Sequence, residues 1–315
     1  MKDYLQSLEA VINQLTGISQ GEKLAQALIK DDSLIDWVTP QQVENITQIQ
    51  VTAGYGPQNL EGELIDTDFD TYLKTVIQPQ ISNGIITDGT NPNDYDDRKI
   101  RWSGGEIAGY WKREEERLIL EVGPTTYPRY HQDCSRSKLE ALKLMLKGLQ
   151  IYQDPFVYFA RALAVTVIPI TAQGTVYIGE RVGNIDRPGF LNFVAGLATF
   201  NEQIEQINFY QDAQRELKEE ARIDLPLDKS NTRLIGMAGN PFTSETDLVF
   251  AVNTGIDENH FKSQGWEEHL SFVRLSNKTE AENLLYEGIL PGQNDKKEII
   301  YASRFALKYL IDDHF

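Results

Sequence analysis

Cysteine is almost missing from this 315-residue chain: Cys134 is the only one. A lone thiol excludes an intrachain disulfide framework, and a reducing cytoplasm is the expected compartment. Histidine is scarce as well. His131, His260, His269 and His314 stand at no spacing that holds zinc. There is no basic excess, since 47 acidic residues oppose 30 basic ones, for a net charge of −17 and a pI near 4.7. This leaves no footprint for a nucleic-acid backbone. A small anionic ligand is still open, held by a local basic pocket or a metal. Long apolar runs are absent too. The most apolar stretch, Ala162 to Ile170, is far too short to span a bilayer. Met1-Lys2-Asp3 does not begin a signal-peptide pattern. Neither nucleic acid nor membrane is an expected partner.

The N-terminal half reads as mainly helical. Leu5, Leu8, Val11, Ile12 and Leu15 recur at helical spacing over 3–15, and Gly17 closes the run. A short helix is expected over 21–30. Thr39-Pro40-Gln41-Gln42 reads as another helix start, with threonine as cap and proline first. Ile49, Val51 and Ala53 alternate with polar residues, as in a half-buried strand. A turn over 54–59 and a weak helix over 68–78 follow. Thr87 to Arg98 is rich in turn formers and acid, without the spacing of a calcium loop. Strands are expected over 106–111 and 117–122, joined by a turn at Lys112–Glu116. Gly123 to His131 is polar, aromatic and broken by proline, and does not read as core. A helix over 136–150, with Leu139, Leu142, Leu146 and Leu149 on one face, ends the region.

From there the pattern turns to β. Strands are expected over 157–171, 175–181, 232–238, 246–253 and 271–275, and a closing helix over 297–312. The expected organisation is an N-terminal accessory domain, 1–152, mainly helical with a β-hairpin, then a second domain, 153–315. The second is α/β, a mixed sheet sandwiched by helices.

The chemistry concentrates in Gln214-Arg215-Glu216-Leu217-Lys218-Glu219-Glu220-Ala221-Arg222-Ile223. Glu216, Glu219 and Glu220 stand at i, i+3 and i+4, on one helix face. Tyr210, Ala213, Leu217 and Ala221 form the adjoining apolar stripe. Like charges at that spacing destabilise a bare helix. A hard divalent cation with oxygen ligands is the natural compensation, while a merely solvated face balanced by Lys218 and Arg222 is the plainer account.

The run resembles the Nudix hydrolase motif, G-x5-E-x7-R-E-U-x-E-E-x-G-U with U a bulky aliphatic. Arg215, Glu216, Leu217, Glu219, Glu220 and Ile223 match in register. Phe190 to Gly196 is similar to the strand leading into the motif's glycine loop. Arg222 replaces the motif's second glycine, which implies a helix running on at least to Ile223. Gly196 lies nineteen residues before Arg215 instead of fourteen, and position 207 is isoleucine, with Glu202 and Glu205 as stand-ins for the missing glutamate. The likeness is closest over 212–223 and extends over roughly 157–315.

The resemblance implies a Nudix-type α/β/α sandwich and a metal-dependent pyrophosphohydrolase using Mg²⁺ or Mn²⁺. It implies metal ligation by Glu216, Glu219, Glu220 and the backbone at Gly196, and an orienting role for Arg215. The general base is a helix glutamate such as Glu219 or Glu220, or Glu267 or Glu268 from a later loop. Arg181 and Arg187 could meet substrate phosphates, and Tyr127 could stack on a base. Leu234 to Val252 and Leu120 to Tyr127 are loosely similar to the branch that cleaves UDP-sugars. The expected substrate is therefore a nucleoside diphosphate linked to a moiety X, a nucleotide sugar first. The rival is a non-catalytic nucleotide sensor. The oligomeric state is open, with a homodimer as the alternative to a monomer.

Overall fold

The computed structural model describes residues 1–18, 20–54, 74–75, 78–83, 98–103, 111–183, 187–262, 266, 268–293 and 295–315. The expected turn over 55–59, most of the helix over 68–78, the loop from Thr87 to residue 97, the first residues of the 106–111 strand and Glu267 lie outside them. Among the described residues, no helix is long and apolar enough to cross a membrane.

The elements run α1 (Lys2–Leu15), α2 (Gly21–Ile29), β1 (Ile35–Val38), β2 (Gln48–Ala53), α3 (Gln78–Ser82), β3 (Lys99–Trp102), β4 (Trp111–Glu114), β5 (Arg117–Thr125), α4 (Tyr127–Ser135), α5 (Lys138–Tyr152), β6 (Leu163–Ile170), β7 (Val176–Arg181), β8 (Leu191–Asn192), β9 (Val194–Leu197), α6 (Phe209–Ala221), β10 (Thr232–Gly239), β11 (Thr246–Asn253), β12 (His269–Leu275), α7 (Lys278–Glu282) and α8 (Tyr301–Tyr309). The fold is α/β, with two mixed sheets and several helices.

The larger sheet has the order β1-β10-β11-β6-β7-β12, with β9 on β6 and β8 on β7. β6 and β11 pair in parallel at its centre. Their alternation explains the layers. Leu163, Val165 and Val167 of β6 and Leu248, Phe250 and Val252 of β11 face Phe209, Ala213 and Leu217 of α6. Ile168, Ile170, Val249 and Ala251 face Tyr301, Ala302, Phe305 and Ala306 of α8. The result is an α/β/α sandwich.

The N-terminal half differs from expectation in three places. Thr39–Gln42 starts no helix. The Gln42 side chain turns back to accept the Thr39 N–H (2.8 Å), and the chain makes turns before β2. The preceding β1 pairs with β10 and so extends the larger sheet. β2, β3, β4 and β5 form a four-stranded sheet, in which β4 and β5 are the expected hairpin and β2 runs parallel to β5. Lys112–Glu114 are strand, so the turn shrinks to Glu115 and Glu116. Finally, Tyr127–Ser135 is a helix with Pro128 in its first turn, and it buries Arg129, Tyr130, Gln132 and Asp133. It reads as polar because what it buries is polar.

α5 starts at a capping box, Ser137 with Glu140, and α1 packs on it. The hydrophobic cluster beneath α6 also takes in Val11, Leu15, Leu28, Trp37, Leu118, Leu142 and Met145. Residues on both sides of 152/153 therefore share one core.

Candidate functional site

α6 begins at Asn208, whose side chain accepts the Tyr210 N–H (3.0 Å). Ala213, Leu217 and Ala221 are fully buried and fix the rotation of the helix. With about 100° per residue, Glu220 falls nearest that stripe, Glu216 next and Glu219 farthest. Burial follows this order: Glu220 is 2 % and Glu216 6 % exposed, while the Glu219 side chain is 40 % exposed.

Glu216 lies directly against Gly196. A Cβ at 196 would overlap its carboxylate, so the glycine is required for close approach. Glu220 accepts the Ala195 N–H (3.3 Å) and meets His269 Nε2 (2.8 Å) on the same Oε2. β9 thus supplies the floor for both acids. Arg215 Nη1 reaches Glu216 (2.7 Å) and Glu219 (3.1 Å), and its Nη2 donates to Leu197 O (3.3 Å). Asp212 stands 3.6 Å from Arg215 and accepts the Thr199 N–H (3.3 Å). Arg215 therefore ties the helix to β9 and contacts both Glu216 and Glu219.

Burial pushes Glu216 up to about 8, with Glu220, Glu219 and Glu268 adding to the rise and Arg215 opposing it. Burial raises Glu220 well above the carboxylate range, and Glu268 adds to it. His269 is pushed down to about 4 by burial and by Arg181. At neutral pH the ring is uncharged, and one proton lies between it and Glu220. The ring fits because Gly179 faces it with no side chain. Its Nδ1 has no hydrogen-bond partner.

The structure therefore gathers Glu216, Glu220, Glu268, Arg181, Gly196 and His269. Arg181 and His269 are opposite each other on β7 and β12. Glu219 turns out to Arg215. Arg187 and Tyr127 belong to a neighbouring group. Arg187 lies 3.6 Å from Glu245 and 3.9 Å from Cys134 Sγ. The Tyr127 ring lies 5.9 Å from that of Tyr130 and packs with Ala162 and Leu197. Asp247, bonded to Thr166 (2.6 Å) and the Tyr301 hydroxyl, is buried nearby. His269, Asp212 and Asp247 escape a sequence reading. Only the nearness of His269 to Glu268 hinted at one of them, because the contacts span 49 residues or more for His269 and Asp247.

Arg222 overturns the expected helix extension. The helix stops at Ala221, and Arg222 takes a left-handed φ of 55°. It occupies the motif's glycine position with the backbone that glycine favours. The Arg222 and Ile223 N–H groups donate to Leu217 O, and His260 Nε2 caps Ala221 O (2.7 Å). The guanidinium stacks over Trp266, 5.1 Å from its centroid.

The donor set suits a hard divalent cation. Glu216, Glu220 and Glu268 are oxygen donors in mutual electrostatic reach, and a cation would reverse the rise that burial imposes. Among the described residues, however, no three His, Cys, Asp or Glu side chains are gathered as a ready-made metal group.

No family model and no curated protein matches the sequence. Among solved structures, the chain is similar to DR0079 from Deinococcus radiodurans at 16% identity and a TM-score of 0.32, over 46% of this chain and 81% of that one. It is also similar to the MutT protein from Methanosarcina mazei Go1 at 14% identity and a TM-score of 0.30, over 48% of this chain and 96% of that one. Likenesses this distant decide nothing about function.

Proposed function

We propose that this chain is a metal-dependent pyrophosphohydrolase. Its substrate is a nucleoside diphosphate linked to a moiety X, a nucleotide sugar first, and its products are a nucleoside monophosphate and a sugar 1-phosphate. The observation that carries this reading is the pair Glu216 and Glu220, buried side by side on β9. Two adjacent buried carboxylates cost stability unless something compensates them, and apolar side chains would pack there without that cost.

Glu216, Glu220 and Glu268, with the backbone at Gly196, would hold Mg²⁺ or Mn²⁺. When bound, such a cation polarises a P–O–P link and acidifies bound water. The chain's own groups supply the rest. Arg215 holds Glu216 and Glu219 in place. His269 holds Glu220 and accepts or returns the shared proton. Glu268, half-buried, would take a proton from an attacking water. Arg181 can neutralise phosphate oxygens. Arg187 and Tyr127 would meet the rest of the substrate.

A second reading, a nucleotide sensor without turnover, is favoured by Glu219, which is engaged with Arg215. Incubating UDP-glucose, ADP-ribose, NADH and nucleoside triphosphates with Mg²⁺ or Mn²⁺, then separating products by chromatography, decides between the two. UMP and glucose 1-phosphate, with no free phosphate until a phosphatase is added, are expected. Preference for ADP-ribose or NADH keeps the reaction and changes X. Binding without any turnover supports the sensor.

A further inference from the structure

Tyr127, Tyr130 and Cys134 stand at i, i+3 and i+7 on α4, so one face of that helix carries two phenol rings and a thiol. The Tyr127 ring lies 5.9 Å from that of Tyr130 and 6.0 Å from that of His131. This face packs with Ala160, Ala162 and Leu197. Leu197 follows Gly196 on β9, so one strand joins the aromatic patch to the floor of the acid pair. Arg187 and Glu245 complete the patch. The Tyr130 hydroxyl donates to Glu245 Oε1 (3.0 Å). Arg187 Nη2 lies 3.6 Å from Glu245 Oε2 and 3.9 Å from Cys134 Sγ.

Glu245 is fixed by the connection between β10 and β11. Its carbonyl accepts the Asn240 N–H (2.9 Å), and Ser244 before it takes a left-handed φ of 58°. The patch also reaches solvent. Tyr127, His131, Cys134 and Leu197 are half-buried, and the Arg187 side chain is 21 % and that of Glu245 10 % exposed. Its charge is balanced or negative. Glu245 offsets Arg187, and the buried Asp247 is within electrostatic reach of the same guanidinium. Among the described residues, this leaves no excess positive charge for an anion. What the patch offers is a carboxylate acceptor, guanidinium donors and a ring face.

We infer that Tyr127, Arg187 and Glu245 form the subsite for moiety X, and that they select an uncharged, hydroxyl-bearing group over an anionic one. A hydroxyl both donates and accepts, so neighbouring hydroxyls can donate to Glu245 and accept from Arg187. These bonds add to those the two side chains already make, since a carboxylate has about four acceptor positions and a guanidinium five donors. The Tyr127 ring offers an apolar face to the C–H groups of a sugar ring. An anionic X would meet Glu245 and Asp247 as like charges, and such juxtaposition suppresses the wrong partner. The inference deepens the hydrolase reading, on which it rests for the identity of X.

The test is titration calorimetry of the full chain with sugar phosphates, which need neither a base nor turnover. Glucose 1-phosphate should bind roughly tenfold or more tightly than inorganic phosphate, and than glucuronic acid 1-phosphate, where a carboxylate replaces the sugar's primary alcohol. Glu245→Gln keeps an acceptor for the Tyr130 hydroxyl and removes the charge. It should weaken glucose 1-phosphate and strengthen glucuronic acid 1-phosphate, whereas a merely structural role would weaken both alike. Equal affinities in the unchanged chain, or a preference that survives Glu245→Gln, overturns the subsite. If Glu245→Gln does not fold, Tyr127→Leu decides. It should weaken glucose 1-phosphate and leave inorganic phosphate as it was, and unchanged glucose 1-phosphate affinity overturns the subsite. Glucose 1-phosphate bound together with UMP or AMP supports its assignment to X, and exclusion by either nucleotide places the ribose there and overturns it. The preference without turnover of any nucleotide sugar supports the subsite and sinks the hydrolase. Equal turnover of UDP-glucose and UDP-glucuronic acid keeps the hydrolase and overturns the subsite.

Discussion

β3 meets the chain just past β9 at the hydrogen bond from Ile100 N to Ala198 O (3.0 Å), yet the surroundings of the two strands bury charges of opposite sign. Beside β9 stand Glu216 and Glu220, and on and around β3 stand Arg101, Arg129 and Arg161. The two clusters answer the same electrostatic problem differently. Crowded carboxylates escape by taking up protons, and Glu216 does so up to about pH 8. A guanidinium has no such exit at physiological pH. Even at about 9, Arg101 stays charged. The acidic cluster can exchange protons for a metal, whereas the basic cluster keeps its charge.

The sharpest break of this contrast is Glu220→Gln. It keeps the shape and removes the charge that a metal would need. Turnover should fall tenfold to a hundredfold, about 1.4 to 2.8 kcal/mol in the barrier, with the fold retained by circular dichroism. Undiminished turnover, or turnover that survives excess chelator, would remove metal-assisted hydrolysis from consideration.

Two glycines allow a matched comparison. In Gly196→Ala the new methyl overlaps a buried carboxylate that Arg215 holds in place. Overpacking of this kind costs about 1–3 kcal/mol, and turnover should fall with it. In Gly123→Ala the methyl meets the far end of Arg101 at 2.9 Å and Gly54 O at 3.0 Å. The arginine can yield, so the loss in unfolding temperature should be smaller and turnover largely kept. Equal losses in both variants would mean that the two clusters are equally rigid.

Protons give a third contrast. Glu216 is raised from 4.5 to about 8. The folded chain keeps a proton that the unfolded chain releases, so this contribution is full below about 4.5 and lost as pH rises to about 8. His269 is lowered from 6.5 to about 4. Its contribution is full above 6.5 and lost as pH falls toward 4. The two oppose each other at mildly acid pH; above 6.5 the His269 contribution no longer changes, and Glu216, with Glu220 raised in the same direction, sets the fall. In chelator, the unfolding temperature should fall across that upper window. Glu216→Gln should make the fall shallower, and millimolar Mg²⁺ should reduce it. A fall that persists in Glu216→Gln would place its source elsewhere.

Local pattern carried much of this to the sequence, and distance hid the rest. Glutamate spacing on α6 is local, and the order of burial follows from the angles to Ala213, Leu217 and Ala221. β6, β7, β10 and β11 are legible from β-branched alternation. Gly196 is legible as a place of close approach. The pairing of β1 with β10 joins residues some 200 positions apart, and nothing local in Ile35–Val38 encodes it. Gly179 makes room for His269, and Gly123 for Arg101. Each is an ordinary strand glycine until its partner is known. Gly123 to His131 does not read as core because the helix it enters, Tyr127–Ser135, buries Arg129, Gln132 and Asp133, residues that hydrophobic periodicity does not count.

The smallest expected effect is at Arg222. A non-glycine residue in the left-handed region costs roughly 1–2 kcal/mol relative to the right-handed one, so Arg222→Gly relieves strain at the α6 end. The same change removes the guanidinium from the Trp266 ring, a contact worth about 0.5–1 kcal/mol where solvent reaches it. It also frees the unfolded backbone, which lowers stability by up to about 1 kcal/mol. The three contributions nearly cancel, and the unfolding temperature should move by no more than a degree or two. Turnover should be unchanged, because the side chain points to Trp266 and the Glu220 contacts run through Ala195 and His269. A large gain in turnover on Arg222→Gly would mean that this arginine blocks the acidic cluster, and would favour the sensor over the hydrolase.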